Sequence, residues 1–330
     1  MKLIKNQTIL VTGGTGSWGY ELVRQLLEYE PREIRIFSRN ESNQFTMKQE
    51  FDNNPKLNFI IGDIKEKEAI MEASQGVDYI FHLAALKHVP VCEDQPIEAL
   101  KTNVIGTQNV IEAAISCNVH SVVNISTDKA SNPSNFYGLS KAMAERLIIH
   151  ANTLNTNTRF VCIRGGNVLG TNGSVIHVFK KQIKEKGKIG ITDLNMTRFF
   201  LTIEEAIKLV FKATFDSIGG EIFVMKMPSC KIIDLAEVLM EASNKTNIGV
   251  EVLGIRPGEK LHEILLSEYE STTAIVYDDE YYVILPAIHI DGIKEHYANY
   301  QPVSLEDYNS GTGLMEKSQI AEMLKNGGFI

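Results

Sequence analysis

Apolar and polar positions follow two rhythms in the first half of this chain. Short apolar runs at Thr8–Thr12, Glu33–Phe37, Leu57–Ile61, Tyr79–Leu83 and Ser121–Ser126 read as strands, and stretches of helical period such as Tyr20–Leu27 lie between them. This alternation, sustained to about Val168, predicts an α/β fold built on a doubly wound parallel sheet. From about Leu169 the pattern is broken by Gly, Asn and Pro. The expected division is therefore residues 1–168 and a smaller unit over 169–330. A segment of about 200–226 should rejoin the sheet, because Glu221-Ile-Phe-Val-Met225 again reads as a strand. Met225 and Met227 are expected to fill core space.

The first strand runs directly into Gly13-Gly-Thr-Gly16-Ser-Trp-Gly19 and then into a helix. Strand, glycine turn and helix N-terminus together offer backbone N–H groups to a pyrophosphate, which predicts a dinucleotide site lined by Gly13, Thr15, Gly16, Ser17, Trp18 and Gly19. The second strand ends in Ser38-Arg39, where an NAD site usually carries an acid. A hydroxyl and a guanidinium suit a 2′-phosphate, so NADP is preferred over NAD. Asp63-Ile64 should meet the adenine. The small Ala84 and Ala85, ahead of Lys87, let the backbone approach the cofactor, and Asn103 is a candidate support for Lys141.

Tyr137 and Lys141 stand four apart at the start of a helical stretch, on one face. An ammonium beside a phenol favours the phenolate, which makes Tyr137 a base. Asp128 and Lys129 follow the apolar run Ser121–Ser126, at the strand end where open α/β sheets place ligands. A carboxylate, an ammonium and an activated phenol handle more protons than an alcohol dehydrogenase needs.

The net charge of −8, with no basic stripe, excludes a nucleic-acid partner, so an anionic substrate must be held by local Arg and Lys. The glycines at 170 and 173 suggest a loop closing over phosphates. Lys87, Asn167, Arg198 and Arg256 are expected to face a sugar and diphosphate. Cys92, Cys117, Cys162 and Cys230 have no CxxC spacing and read as buried thiols of a reducing compartment. The chain shows no leader, and no apolar run approaches the ~20 residues of a bilayer span, so a cytoplasmic protein without a membrane partner is expected. No metal site is expected, since His262-Glu263 lacks the second His of an HExxH motif.

With these residues placed, the chain resembles the extended short-chain dehydrogenase/reductase family, of Rossmann fold. Within it, the chain is similar to the inverting UDP-N-acetylglucosamine 4,6-dehydratases of bacterial surface-sugar pathways. The likeness runs from Lys5 to about Asn309. It rests on Gly13–Gly19, Ser38-Arg39, Ala85–Pro90, Ser126–Ala130, Asn167–Val175, Ile191–Phe199 and Ile255–Glu263. Lys129 is the discriminating residue: retaining dehydratases resembling this chain carry Glu there, and 4-epimerases lack the Asp-Lys pair. Gly165 departs from the family's usual Tyr, and Trp18 from its usual Phe.

The resemblance implies NADP in residues 1–168, with Ser126, Asn167 and Val168 near the cofactor, and UDP-N-acetylglucosamine held mainly by residues 169–330. It adds Ser174 and Val175 to the substrate side, and places Thr192, Glu259, Tyr308 and Asn309 near the uridine. Tyr137 would take the 4-hydroxyl proton as hydride leaves C4. Lys129, a neutral amine with its pKa lowered by burial and by Lys141, would take the C5 proton. A protonated Asp128 would serve the departing 6-hydroxyl, and hydride would return to C6. A homo-oligomer is expected. The competing readings are a UDP-hexose 4-epimerase and a non-catalytic dinucleotide-sensing regulator.

Overall fold

The computed structural model describes residues 4–154, 157–171, 174–243, 245 and 248–330. Gly173, one of the two glycines expected in a phosphate-closing loop, lies outside the described residues.

The apolar runs pair into a ten-stranded sheet. From one edge, Leu57–Ile61, Glu33–Ser38, Thr8–Thr12, Tyr79–His82, Ser121–Thr127, Arg159–Gly165 and Ile222–Met225 run parallel. Their central members are buried on both faces, which is why they are apolar throughout rather than alternating. The order reverses between Thr8–Thr12 and Tyr79–His82, so a crevice opens there at the carboxyl ends of the strands. Ile222–Met225 pairs with Arg159–Gly165. The sheet then continues antiparallel through Tyr281–Ile284, Ala274–Val276 and Gln301–Pro302, an extension that the broken pattern after Leu169 did not announce.

Among the described residues two large apolar cores result, with a small third cluster of Cys92, Ala99 and Tyr137. The larger underlies the sheet and draws in the helix Ile203–Asp216 through Ile207, Val210 and Phe211. The smaller gathers Leu169, Ile176, Phe179, Ile191, Phe200, Leu235, Ile320 and Leu324. It is built by the helices Val175–Glu185, Ile232–Ala242 and Lys317–Asn326. Met225 and Met227 are core residues, and the Met225 sulfur lies 3.1 Å from where a Cβ at position 165 would stand. A tyrosine at Gly165 has no room until Met225 moves. Cys92, Cys162 and Cys230 are buried free thiols, while Cys117 is half-buried with its sulfur near the Met71 carbonyl.

Candidate active site

A cleft of about 1020 Å3 runs along the carboxyl ends of the parallel strands and is closed on its other side by the smaller core. One end is the glycine turn. Gly13 has a φ of +70° and packs so tightly that an added Cβ would lie 2.8 Å from the Ala84 nitrogen. The helix Ser17–Glu28 opens at Gly16 with no side-chain cap. A phosphate therefore finds a helix N-terminus and backbone room together, and these residues fit a dinucleotide. Ser38, Arg39, Asp63 and Ile64 line the same end, with the Arg39 guanidinium 3.7 Å from the Asp63 carboxylate.

At the other end, strand Ser121–Thr127 passes into a turn at Asp128–Ala130, and helix Phe136–Ala151 packs against that turn. Gly138 makes the packing possible, because a Cβ there would collide with the Lys129 carbonyl oxygen. Asn135 caps the helix by accepting from the Gly138 N–H and donates to the Gly258 carbonyl, so the chain near Arg256 is tied to the same corner. Tyr137 and Lys141 both line the cleft. The Lys141 ammonium donates to the Ile125 carbonyl at 2.8 Å, and burial holds its pKa below the usual lysine value against the pull of Cys162 and Glu145. Burial pushes the Tyr137 phenol up to about 12, partly offset by the Lys129 charge and a hydrogen bond to Thr127. The cation that draws the phenol down most is thus Lys129, whereas the helical spacing had pointed to Lys141.

Lys129 departs most from expectation. Its ammonium lies 3.0 Å from Asp128 and 3.3 Å from Glu263. Burial alone would lower its pKa, but the two carboxylates outweigh burial and the Arg198 charge, and Lys129 stands above the usual lysine value. The resting side chain is a cation, and the expected neutral amine is corrected. Glu263 is 3% exposed, and Arg198 Nε lies 3.3 Å from the same carboxylate oxygen. Lys260, another cleft residue, donates to the Ser131 carbonyl at 2.8 Å, with its pKa lowered by burial.

Behind this corner lies a buried ion triad. Arg164, 1% exposed, holds Glu145 and Glu270 through paired guanidinium contacts of 2.6–3.0 Å. Glu145 accepts from Ser126 and Glu270 from Ser131, so the triad grips both sides of the Asp128–Ala130 turn. Burial works against the Glu270 carboxylate, yet the Arg164 charge and hydrogen bonds hold its pKa down at about 2. That folded value lies below the unfolded one, so this stabilisation is present above the unfolded value and is lost as pH falls through about 2. Arg164→Met leaves two buried carboxylates without their cation and is expected to cost about 3–5 kcal/mol in chemical denaturation at neutral pH. The deficit should narrow on acidification, as the carboxylates take up protons.

Ser126, Ala84, Ala85, Lys87, Asn167, Val168, Ser174, Val175, Thr192, Arg198, Arg256 and Glu259 all line the cleft. Four expected site residues are absent from its walls. Asp128 is 1% exposed behind Lys129, accepting from the Thr127 hydroxyl at 2.8 Å, and its other oxygen has no partner among the described residues. Asn103 braces the Leu86 backbone and the Ser140 hydroxyl, not Lys141. Tyr308 hydrogen-bonds both backbone groups of Met227, with its ring against Phe199 and Tyr282, and Asn309 bonds Asp307 and Gly311. Tyr308-Asn309 is a short strand paired with Ile264–Leu266. Its backbone pairing secures the strand that follows Glu263, and neither side chain lines the cleft, where a uridine contact was expected.

This is the architecture of the extended short-chain dehydrogenases/reductases: a doubly wound sheet with a glycine cradle at its switch point and a Tyr-x-x-x-Lys pair across the crevice. The model of the family described as polysaccharide biosynthesis protein matches residues 9–285, and the chain belongs to that family. A Campylobacter jejuni protein named UDP-N-acetylglucosamine 4,6-dehydratase (inverting) is 44% identical over 290 residues, covering 87% of this chain and 85% of its own. A Rickettsia rickettsii protein named UDP-glucose 4-epimerase is 41% identical over 334 residues, covering 97% and 95%. The solved structure of Pen from Bacillus thuringiensis is 39% identical with a TM-score of 0.91, covering 99% of this chain and 100% of that one.

Proposed function

We propose that this protein is an NADP-dependent UDP-N-acetylglucosamine 4,6-dehydratase that inverts C5. The product would be UDP-2-acetamido-2,6-dideoxy-β-L-arabino-hexos-4-ulose. The observation that carries the reading is the Asp128–Lys129–Glu263 cluster beside Tyr137. Oxidation at C4 needs a single base, Tyr137, with a cation beside it; a second set of proton-handling groups is needed only to eliminate water across C5 and C6.

The glycine cradle at Gly13–Gly19 would hold a nicotinamide dinucleotide, which would supply a hydride acceptor recycled within each turnover, with no net redox. Tyr137 takes the 4-hydroxyl proton, aided by the Lys129 cation. The new ketone acidifies the C5 proton. Transfer of one proton along the 3.0 Å Lys129–Asp128 bond converts the ion pair into an amine and a carboxylic acid, the two forms that elimination requires. Lys129 then takes the C5 proton. Asp128 sends its proton to the departing 6-oxygen through the Thr127 hydroxyl, which lines the cleft and is bonded to Asp128. Once water has left and the hydride is back on C6, a solvent-derived proton enters C5 from the opposite face, inverting that centre. Tyr137 releases its own proton to solvent. Lys87, Asn167, Ser174, Val175, Thr192, Arg198, Arg256 and Glu259 are assigned to the sugar, diphosphate and uridine.

A 4-epimerase is the second reading, favoured by the printed name of the Rickettsia relative. Incubation with UDP-N-acetylglucosamine followed by mass analysis separates the two. Loss of one water supports the dehydratase; unchanged mass with altered C4 configuration supports the epimerase; no change supports a dinucleotide sensor.

Cofactor choice is assigned to Ser38 and Arg39, which line the adenosine end. Arg39→Ala removes a charge-assisted phosphate contact and is expected to weaken NADP binding by about 1.5–3 kcal/mol, leaving NAD nearly untouched. Titration of both cofactors checks this, and an unaltered preference removes the assignment.

No helix among the described residues is long and apolar enough to cross a membrane. A cytoplasmic location is part of the proposal, as is a homo-oligomer. Leu139 and Met143, four apart on helix Phe136–Ala151 and about half-exposed, offer a second copy an apolar face.

A further inference from the structure

Glu263 is used by nothing in the chemistry above, yet it is one of the most constrained side chains in the cleft. It is 3% exposed, and one of its oxygens is shared between Lys129 and Arg198 at 3.3 Å each. Its other oxygen has no partner among the described residues. Its backbone is pinned on both sides, since the Glu263 N–H donates to the Ser310 hydroxyl and the Ser310 N–H donates to the Glu263 carbonyl. The Ser310 hydroxyl is tied in turn to Thr197, the residue before Arg198. A surface carboxylate needs none of this. Burying one costs several kcal/mol unless cations repay it, and here the two cations are an expected proton-transfer group and an expected phosphate-binding group.

We propose that Glu263 is a positioning residue for Lys129. With Asp128 it forms a two-carboxylate seat that fixes where the ammonium stands and keeps it charged until a proton passes to Asp128. Through Arg198 it ties that seat to the part of the cleft assigned to the diphosphate. The inference rests on the dehydratase reading and deepens it.

The groups facing Lys129 come from every element at this corner. Asp128 lies on its own turn, Tyr137 on the packed helix, Arg198 on strand Thr197–Leu201, and Lys260 and Glu263 on the segment before Ile264–Leu266. Asp128 and Glu263 raise the proton affinity of Lys129, whereas Arg198 lowers it. Replacing Glu263 by glutamine also lowers the proton affinity of Lys260, which feels the same carboxylate, whereas Tyr137 feels the change only through Lys129. Removing one carboxylate must therefore lower the pH at which the Lys129–Asp128 pair loses its shared proton, by about one unit or more.

The test compares wild type with Glu263→Gln, using the complete chain, NADP and UDP-N-acetylglucosamine. Two rates are followed against pH: appearance of reduced cofactor for the first hydride transfer, and loss of water by mass for elimination. In Glu263→Gln, the alkaline fall in water loss should move to lower pH, and by more than the profile of the first hydride transfer, which feels Glu263 only through Lys129 and Tyr137. The kcat for dehydration should fall about 10- to 100-fold through loss of position, with KM for the nucleotide sugar changing far less. Glu263→Asp keeps the charge but shortens the reach, and should lower kcat without moving the alkaline limb. If Glu263→Gln does not fold, Glu263→Asp decides the matter, because a wild-type kcat in that variant removes the positioning role. Superimposable profiles for wild type and a folded Glu263→Gln overturn the inference while leaving the dehydratase reading intact. A wild type that never loses water overturns both.

Discussion

Tyr137→Phe is expected to stop turnover at its first step, with no reduced cofactor and no product. The substitution keeps the ring, so packing of the helix Phe136–Ala151 against the Asp128–Ala130 turn is retained and cofactor binding should survive. What disappears is the hydroxyl, whose hydrogen bond to Thr127 is worth about 1 kcal/mol to stability. Its contribution as a general base is larger, about 10²- to 10⁴-fold in rate. The wild-type pH profile carries the same signature. The reacting form of Tyr137 is the deprotonated one, and burial pushes the phenol up to about 12. The first hydride transfer should therefore accelerate with rising pH through the neutral range, levelling off only where bound positive charge has brought the phenol down. Stopped-flow measurement of reduced cofactor at several pH values checks both. Normal turnover by Tyr137→Phe assigns the C4 base to another group.

Much of this site was legible because the relevant residues are close in sequence. A four-residue step on a helix brings Tyr137 and Lys141 to one face whatever surrounds them, and a strand ending in a glycine turn makes a phosphate cradle by backbone geometry alone. Six of the seven parallel strands were similarly readable, since each is a short apolar run; Arg159–Gly165 fell only within the general alternation up to Val168. The electrostatics of Lys129 were not. Its proton affinity depends on Glu263, which arrives from a distant segment and reads in sequence as the end of a failed metal motif and of the block Ile255–Glu263, with no sign of a lysine partner. The same holds for Arg164, one charged residue at the end of an apolar run, whose partners Glu145 and Glu270 come from two other elements. Its burial inside a strand was the available signal, because an arginine is kept there only when it is paired. Gly138 carried no signal at all until the turn it touches was in place. Tyr308 is the opposite case. Its resemblance to a ligand-binding position holds in order along the chain, but its hydroxyl is consumed by the Met227 backbone.

Lys129→Met is expected to retain cofactor binding, to slow the first hydride transfer because the Tyr137 phenol loses its nearest cation, and to abolish water loss. Methionine matches the length of the lysine stem and removes the amine, so nothing at C5 can accept the proton. The loss should reach at least the ~10²-fold typical of a deleted acid–base group. Run in deuterium oxide, the wild-type reaction should place deuterium at C5 and give the 6-deoxy-4-keto sugar with inverted C5, read from ring coupling constants in fresh product. The variant should accumulate reduced cofactor and unlabelled sugar instead. Stability supplies a second, independent signature. Removing the cation leaves Asp128 and Glu263 buried beside each other, which raises their proton affinity. Protons are then bound more tightly in the folded variant than in its unfolded chain, so the variant is destabilised relative to wild type at neutral pH and recovers as pH falls. Thermal unfolding of the two proteins at matched pH values measures that convergence. A variant that dehydrates at the wild-type rate removes Lys129 from the reaction. Parallel melting curves at all pH values would mean that the two carboxylates do not share its charge.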